Sequence, residues 1–257
     1  MINLNKIKSL KTKNFYTFNI EDFLDREIYE KLEKDFPDFN SLDKKKLINR
    51  GDGKYCINVS TEYYDELINS SEAFRNFFAE ISTKKFFDKI FKIFKFEIIL
   101  AKKSNIFDFL KIFKFSKFTF NKLSFLERIF FKRVSVNFEI SFMTNGAYIK
   151  PHTDSRSKLC ALLLYFPDKK LNNDQKLLEQ KIGTQFWDST LKNYENDNYE
   201  NLSEKFLNQS SMDKRTAFNE NNAYGFIKND KSWHSVEKID VSDDYVRRSI
   251  NINLNYS

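Results

Sequence analysis

Histidine is almost absent from this chain, with two in 257 residues. Cysteine is as scarce: Cys56 and Cys160 are too few and too far apart for a disulfide framework or a zinc cluster, and both are expected to be reduced thiols, Cys160 as a small core residue. With five glycines the chain has no Gly-rich phosphate loop, and it carries neither an internal repeat nor a low-complexity linker that would divide it. No apolar run approaches the roughly 18 residues of a membrane span, and the polar start Met1-Ile2-Asn3-Leu4-Asn5-Lys6 lacks a signal-peptide core, so a soluble, cytoplasmic protein is expected. An apolar content of 41% is ample for the core of one sizeable domain.

What is present is a pattern built from the two histidines. His152 lies in Tyr148-Ile149-Lys150-Pro151-His152-Thr153-Asp154, and His234 in Lys231-Ser232-Trp233-His234-Ser235-Val236. Residues two apart on an extended strand project to the same side, so His152 and Asp154 can grip one ion while Thr153 points away. A lone His-x-Asp is common by chance. Joined by a distant His234 after the strand-like run 223–227, with Trp233 able to close one flank, it matches the two-imidazole, one-carboxylate set of non-haem Fe(II) sites.

At residues 148–154, 162–167, 183–187, 222–236 and 247–253, the chain resembles the 2-oxoglutarate and Fe(II)-dependent oxygenases of the prolyl 4-hydroxylase-like type. The resemblance covers about residues 134–253. It implies a double-stranded β-helix or jelly roll; with the N-terminal helices that apolar spacing predicts packed on one of its faces, the expected fold class is α+β. It also implies that His152, Asp154 and His234 are the catalytic iron ligands, with 2-oxoglutarate and O2 as cosubstrates and ascorbate as a reductant.

The distal carboxylate of 2-oxoglutarate calls for an arginine, whose planar fork can bond both oxygens. Arg247 and Arg248 are adjacent and on a strand face opposite ways. Ser249, Asn251 and Asn253 share the parity of Arg247, whereas Ile250, Ile252 and Leu254 share that of Arg248. The polar side suits a carboxylate site, and in the family the basic residue is commonly followed two positions later by a small residue. Arg247 is therefore the expected anchor with Ser249 assisting, although its spacing from His234 exceeds the commonest family spacing. Tyr165 and Tyr148 are further candidates for hydrogen bonds to the cosubstrate.

The chemistry implied by the resemblance is hydroxylation of a substrate C–H bond, with 2-oxoglutarate converted to succinate and CO2. Asp154 argues against the related halogenases, which leave that ligand position to halide. The substrate stays open among a peptidyl proline, a sugar or glycan, and a small metabolite. A noncatalytic jelly-roll binding module retaining a metal site is the alternative, and a zinc hydrolase on the same ligands lacks an obvious additional general base.

Residues 1–133 read as a helical N-terminal portion of the same domain, and 134–257 as the catalytic core. Asn19 is expected to cap a helix through Phe23, Leu24, Ile28 and Leu32, and phenylalanines at helical spacing predict helices around 74–81 and 86–94 with a break near Ser82 and Thr83. Segment 102–133 holds nine Lys or Arg against Asp108 and Glu127, a surplus equal to the net charge of +7, interleaved with nine phenylalanines. Lysine stems covering apolar surface account for it, with peripheral contact to an anionic surface as the second reading and nucleic acid not expected. The polar stretch between Trp187 and Asn221 reads as a loop near the mouth.

Overall fold

The computed structural model describes residues 2–10, 12–102, 116–119, 124–126, 132–191 and 206–256. Thirteen strands among these form two sheets. The larger contains β1 (Ile7–Ser9), β2 (Thr17–Ile20), β3 (Ile48–Asn49), β4 (Lys54–Ile57), β5 (Ser116–Phe118), β6 (Lys132–Thr144), β8 (Lys158–Phe166), β11 (Ala223–Ile227) and β13 (Val246–Tyr256). Their order is β1-β2-β11-β8-β13-β6-β4-β3, with β5 also on β6. The smaller sheet runs β10 (Ser210–Arg215), β9 (Thr184–Ser189), β12 (His234–Val236), β7 (Ile149–His152). Pairing is antiparallel except between β5 and β6.

Strand alternation gives the large sheet two unlike faces. Ile250, Ile252 and Leu254 of β13 lie beside Ile140 and Phe138 of β6 and Leu162 and Leu164 of β8, and all are buried in the main core. Five helices cover this face: α1 (Arg26–Lys34), α2 (Glu62–Ser70), α3 (Glu72–Ile81), α4 (Lys84–Ile93) and α5 (Lys95–Lys102). Phe78 of α3 stacks on Phe138 of β6 with ring centroids 4.0 Å apart. Ser71 caps α3 by accepting from the Phe74 amide, and Thr83 caps α4 by accepting from the Phe86 amide. These caps place the helix break at Ser82 and Thr83, where the sequence predicts it.

The N-terminal portion differs from its reading as helical. Asn19 caps no helix; it lies in β2, paired with Lys8 on one side and Tyr224 of β11 on the other. All four residues of β2 are buried, and the strand covers a β11 edge that would otherwise expose unpaired backbone groups. The helix begins later, at Arg26 after Asp25. Strands β1 to β5 all come from residues 1–133, and β2 and β4 pair with β11 and β6. Most of the basic Phe-rich segment, and residues 192–205 of the polar stretch, lie outside the described residues.

The other face of the large sheet meets the small sheet. Phe186 of β9 packs against Ala161 and Phe226, and Val236 of β12 joins a cluster with Met143, Tyr165 and Tyr224. α6 (Asn173–Glu179) leads from β8 into β9 through a capping box made by Asn172 and Gln175. Among the described residues no helix is long and apolar enough to cross a membrane.

Candidate metal centre

Between the sheets lies a cavity of about 450 Å³, lined by His152, Asp154, His234 and Arg247 among others. The histidines are brought together by register: His152 of β7 and His234 of β12 are directly paired, with ring centroids 4.2 Å apart. A bulge follows, between His234 and Val236, as is frequent where a strand must aim a side chain into a site. β7 is the edge strand of its sheet, which tolerates the missing N–H of Pro151. Asp154 lies two residues past the strand, and one ligand atom from each of His152, Asp154 and His234 falls within 4.8 Å of the others.

The hydrogen bonds fix which atoms face the centre. His152 Nδ1 is 2.9 Å from the Lys150 carbonyl oxygen and His234 Nδ1 is 3.0 Å from that of Ser232, so each ring donates from Nδ1 and leaves Nε2 as the free lone pair. Lys158 Nζ holds Asp154 Oδ1 at 2.9 Å. Asp154 Oδ2 is buried with no hydrogen-bond partner and lies 3.8 Å from His234 Nε2. Burial, and then the neighbouring His152, pushes the His234 pKa down to about 3; burial also lowers that of His152. Burial opposes ionisation of Asp154, but Lys158 and the two imidazoles outweigh it and hold the carboxyl well below its usual range. Two neutral imidazoles and one ionised carboxylate, each with a bare donor atom, fit a divalent cation with positions left open.

Arg247 stands on the same cavity from β13. It is 2% exposed, yet among the described residues no carboxylate pairs with it. Nε donates to the Ile182 carbonyl at 3.1 Å, Nη1 lies 3.8 Å from Met143 Sδ, and Nη2 has no partner. The guanidinium carbon lies 5.0 Å and 4.9 Å from the ring centroids of Tyr165 and Phe218, which wall it off from water. An unpaired buried guanidinium costs several kcal/mol (about 3–5) unless an anion meets it. Arg248 faces the opposite side, donating to the Pro167 carbonyl and lying over Phe36.

The remaining sequence candidates occupy different positions. The Tyr165 hydroxyl is taken up by Thr184 Oγ1 at 2.8 Å, Thr216 Oγ1 at 3.1 Å and the Thr184 amide at 3.2 Å. Its ring rather than its hydroxyl addresses Arg247. Ser249, buried on the Arg247 face, donates to Asn251 Oδ1 at 3.3 Å. Tyr148 is half-buried and precedes β7, outside the cavity lining. Trp233 packs on Phe206 and donates to the Leu191 carbonyl.

Sequence reasoning missed Lys158, four residues after Asp154 across a turn, and the trio Arg50, Lys54 and Glu139, which also line the cavity. Glu139 had one available signal, as a carboxylate at an inner-face position of β6 opposite Asn251. Burial works against its ionisation, but the charges of Lys54 and Arg50 and hydrogen bonds from Lys54 and Asn251 hold its pKa at about 2.

No protein-family model matches the chain, and no curated protein matches it. Among solved structures it is similar to a Pseudomonas putida prolyl-4-hydroxylase at 9% identity, covering 94% of this chain and 93% of that one, with a TM-score of 0.44. It is also similar to HygX from Streptomyces hygroscopicus, solved with nickel and 2-oxoglutarate bound, at 8% identity over 93% of this chain and 82% of that one, TM-score 0.45. A third is the alpha-ketoglutarate dependent epimerase SnoN from nogalamycin biosynthesis, at 8% identity over 93% and 76%, TM-score 0.43. At this level of likeness, function has to be read from this chain's own side chains.

Proposed function

We propose that the chain is a non-haem Fe(II)- and 2-oxoglutarate-dependent dioxygenase of double-stranded β-helix type, hydroxylating a C–H bond with release of succinate and CO2. The observation that carries this reading is the pairing, in one cavity, of three bare ligand atoms with a buried arginine that lacks an anion. His152 Nε2, His234 Nε2 and Asp154 Oδ2 would hold the iron, which when bound supplies the activation of O2 coupled to decarboxylation of the keto acid.

The protein's own part is binding and orientation. The Lys150 and Ser232 carbonyls fix both imidazoles in one tautomer, and Lys158 fixes the carboxylate so that Oδ2 alone is presented. Arg247, walled by Tyr165 and Phe218, would hold the distal carboxylate of 2-oxoglutarate where little water competes. Phe226, 4.6 Å from the His234 ring, and Ala161 give the reacting region an apolar wall. A hydrolytic reading has less support, because Glu139, the other carboxylate on the cavity, is taken up by Arg50, Lys54 and Asn251, which hold it ionised and poorly basic.

Purified protein supplied with Fe(II), ascorbate, 2-oxoglutarate and O2 should form succinate without added substrate, and His152→Ala should abolish it. Succinate formation undiminished in that variant would refute the assignment. Binding of neither metal nor 2-oxoglutarate would leave a noncatalytic module.

A further inference from the structure

Arg50 and Lys54 flank a tight turn at the cavity. Asn49 pairs with Tyr55 in the β3–β4 hairpin, so the next residues inward, Arg50 and Lys54, stand opposite each other, and the Arg50 amide donates to the Lys54 carbonyl at 2.9 Å. The turn between them, Gly51-Asp52-Gly53, has positive φ at all three residues, 85°, 49° and 77°. Like charges placed opposite on paired strands destabilise a hairpin unless an anion lies between them.

Glu139 supplies part of that anion. Lys54 Nζ lies 3.1 Å from one of its carboxylate oxygens and Arg50 Nη2 3.1 Å from the other, while Asn251 donates to it at 3.2 Å. One carboxylate thus serves two cations; Asp52 of the turn is exposed and does not line the cavity, so inside it a unit of positive charge is left over. The pair is also held in place. A Cβ on Gly53 would fall 2.8 Å from Ala147 Cβ, and the Thr144 and Tyr148 amides donate to the Gly53 and Asp52 carbonyls. The hairpin is therefore fastened to the connection that leads into β7 and His152.

The position of this surplus matters. Lys54, Met143 and Arg247 form one row across β4, β6 and β13, so Lys54 lies two strand spacings, about 10 Å, from the Arg247 strand on the same face. Arg50 is half-exposed, whereas Lys54 and Glu139 are mostly covered, which gives the subsite a solvent side and an inner side. Elsewhere in the cavity, Lys158 is neutralised by Asp154. The distal carboxylate of 2-oxoglutarate would neutralise Arg247, and its other carboxylate would leave a divalent iron with one net positive charge. The leftover charge at Arg50 and Lys54 adds to that, so the loaded cavity stays cationic.

We propose that Arg50 and Lys54 form an anion subsite that receives the carboxylate or phosphate group of a small substrate bound beside 2-oxoglutarate. Glu139 and Asn251 act as its positioning residues: they keep both cations extended before the substrate arrives and weaken its grip enough for product to leave. That the ligand is a substrate rests on the oxygenase reading; the anion site itself does not.

The test titrates inorganic phosphate and, separately, acetate into full-length protein loaded with Ni(II) and 2-oxoglutarate, by calorimetry at constant ionic strength. At least one anion should bind, and the double substitution Arg50→Gln, Lys54→Gln should weaken it at least tenfold. Glu139→Gln, which frees both cations, should tighten it at least threefold, a gain that misfolding cannot produce. Preference for phosphate assigns a phosphorylated substrate, and preference for acetate a carboxylic acid. Binding of neither anion, indifference to the double substitution, or no gain in Glu139→Gln would overturn the subsite. If 2-oxoglutarate fails to bind while phosphate or acetate follows the expected order of variants, the oxygenase reading falls and the anion site stands.

Discussion

The two faces of β13 divide the labour of the molecule. Toward the helices, Ile250, Ile252 and Leu254 are fully buried among Phe138, Ile140, Leu162 and Leu164, a surface whose role is cohesion. Toward the small sheet, Arg247, Ser249 and Asn251 carry polar groups that are buried or half-buried, and Arg247 Nη2 has no partner among the described residues. A strand repeats every two residues, so eight consecutive positions serve both purposes without compromise. The lesson is that burial alone does not mark the core. Of the buried side-chain atoms without a hydrogen-bond partner, Asp154 Oδ2 and Arg247 Nη2 belong to residues that line the cavity, whereas others, such as those of Glu33 and Arg215, lie outside it.

Substitutions on the two faces should separate these roles. The largest effect is expected at the ligands, where His152→Ala or Asp154→Ala should remove metal-dependent succinate formation altogether while circular dichroism keeps its folded signature. Next, Arg247→Ala should weaken 2-oxoglutarate binding on the order of 100-fold, from loss of a charge-assisted contact in a dry pocket, against less than about threefold for Arg248→Ala, both read by calorimetry. The reverse order would show that the cosubstrate meets the other face.

On the helix-facing side, Ile252→Ala should cost about 2–5 kcal/mol in denaturant unfolding. Its folded fraction should bind 2-oxoglutarate normally; a large affinity loss there would mean the faces are not independent. Acid should act through the site rather than the core. Because the folded pKa of His234 is about 3 and that of His152 is also lowered, the unfolded chain takes up protons first as pH falls below about 6.5. Stability of the metal-free protein should therefore be complete above that pH and decline as pH falls, by up to about 1.4 kcal/mol per unit per histidine. Thermal melts between pH 7 and 5 would show this, and His234→Gln should flatten the curve. The smallest effect is expected from Tyr165→Phe, about 1 kcal/mol in stability from the hydrogen bonds to Thr184 and Thr216. Its 2-oxoglutarate affinity should shift by less than about threefold, and a tenfold loss would restore the hydroxyl as a cosubstrate contact.

The inner and outer parity of β13 could be read from the sequence because alternation is strict there and both faces are covered. The helices at 72–81 and 84–93 were legible for a similar reason: phenylalanines recur at helical spacing on either side of a break at Ser82 and Thr83. Asn19 misled because Glu21 and Asp22 resemble a helix first turn, whereas Thr17–Ile20 is a strand between β1 and, more than 200 residues away, β11. Local propensity carries no trace of such pairing. The β3–β4 hairpin was invisible for its brevity, two and four residues. With it went Arg50 and Lys54, whose meeting with Glu139 depends on β4 pairing with β6.

The most direct test of the central claim is a crystal structure grown with Fe(II) and 2-oxoglutarate under argon, with anomalous scattering recorded at the iron edge. One iron peak bounded by His152 Nε2, His234 Nε2 and Asp154 Oδ2, with the distal carboxylate of 2-oxoglutarate on Arg247, is the predicted result. An iron peak away from these three atoms, or a keto acid seated on Arg248, would contradict the account.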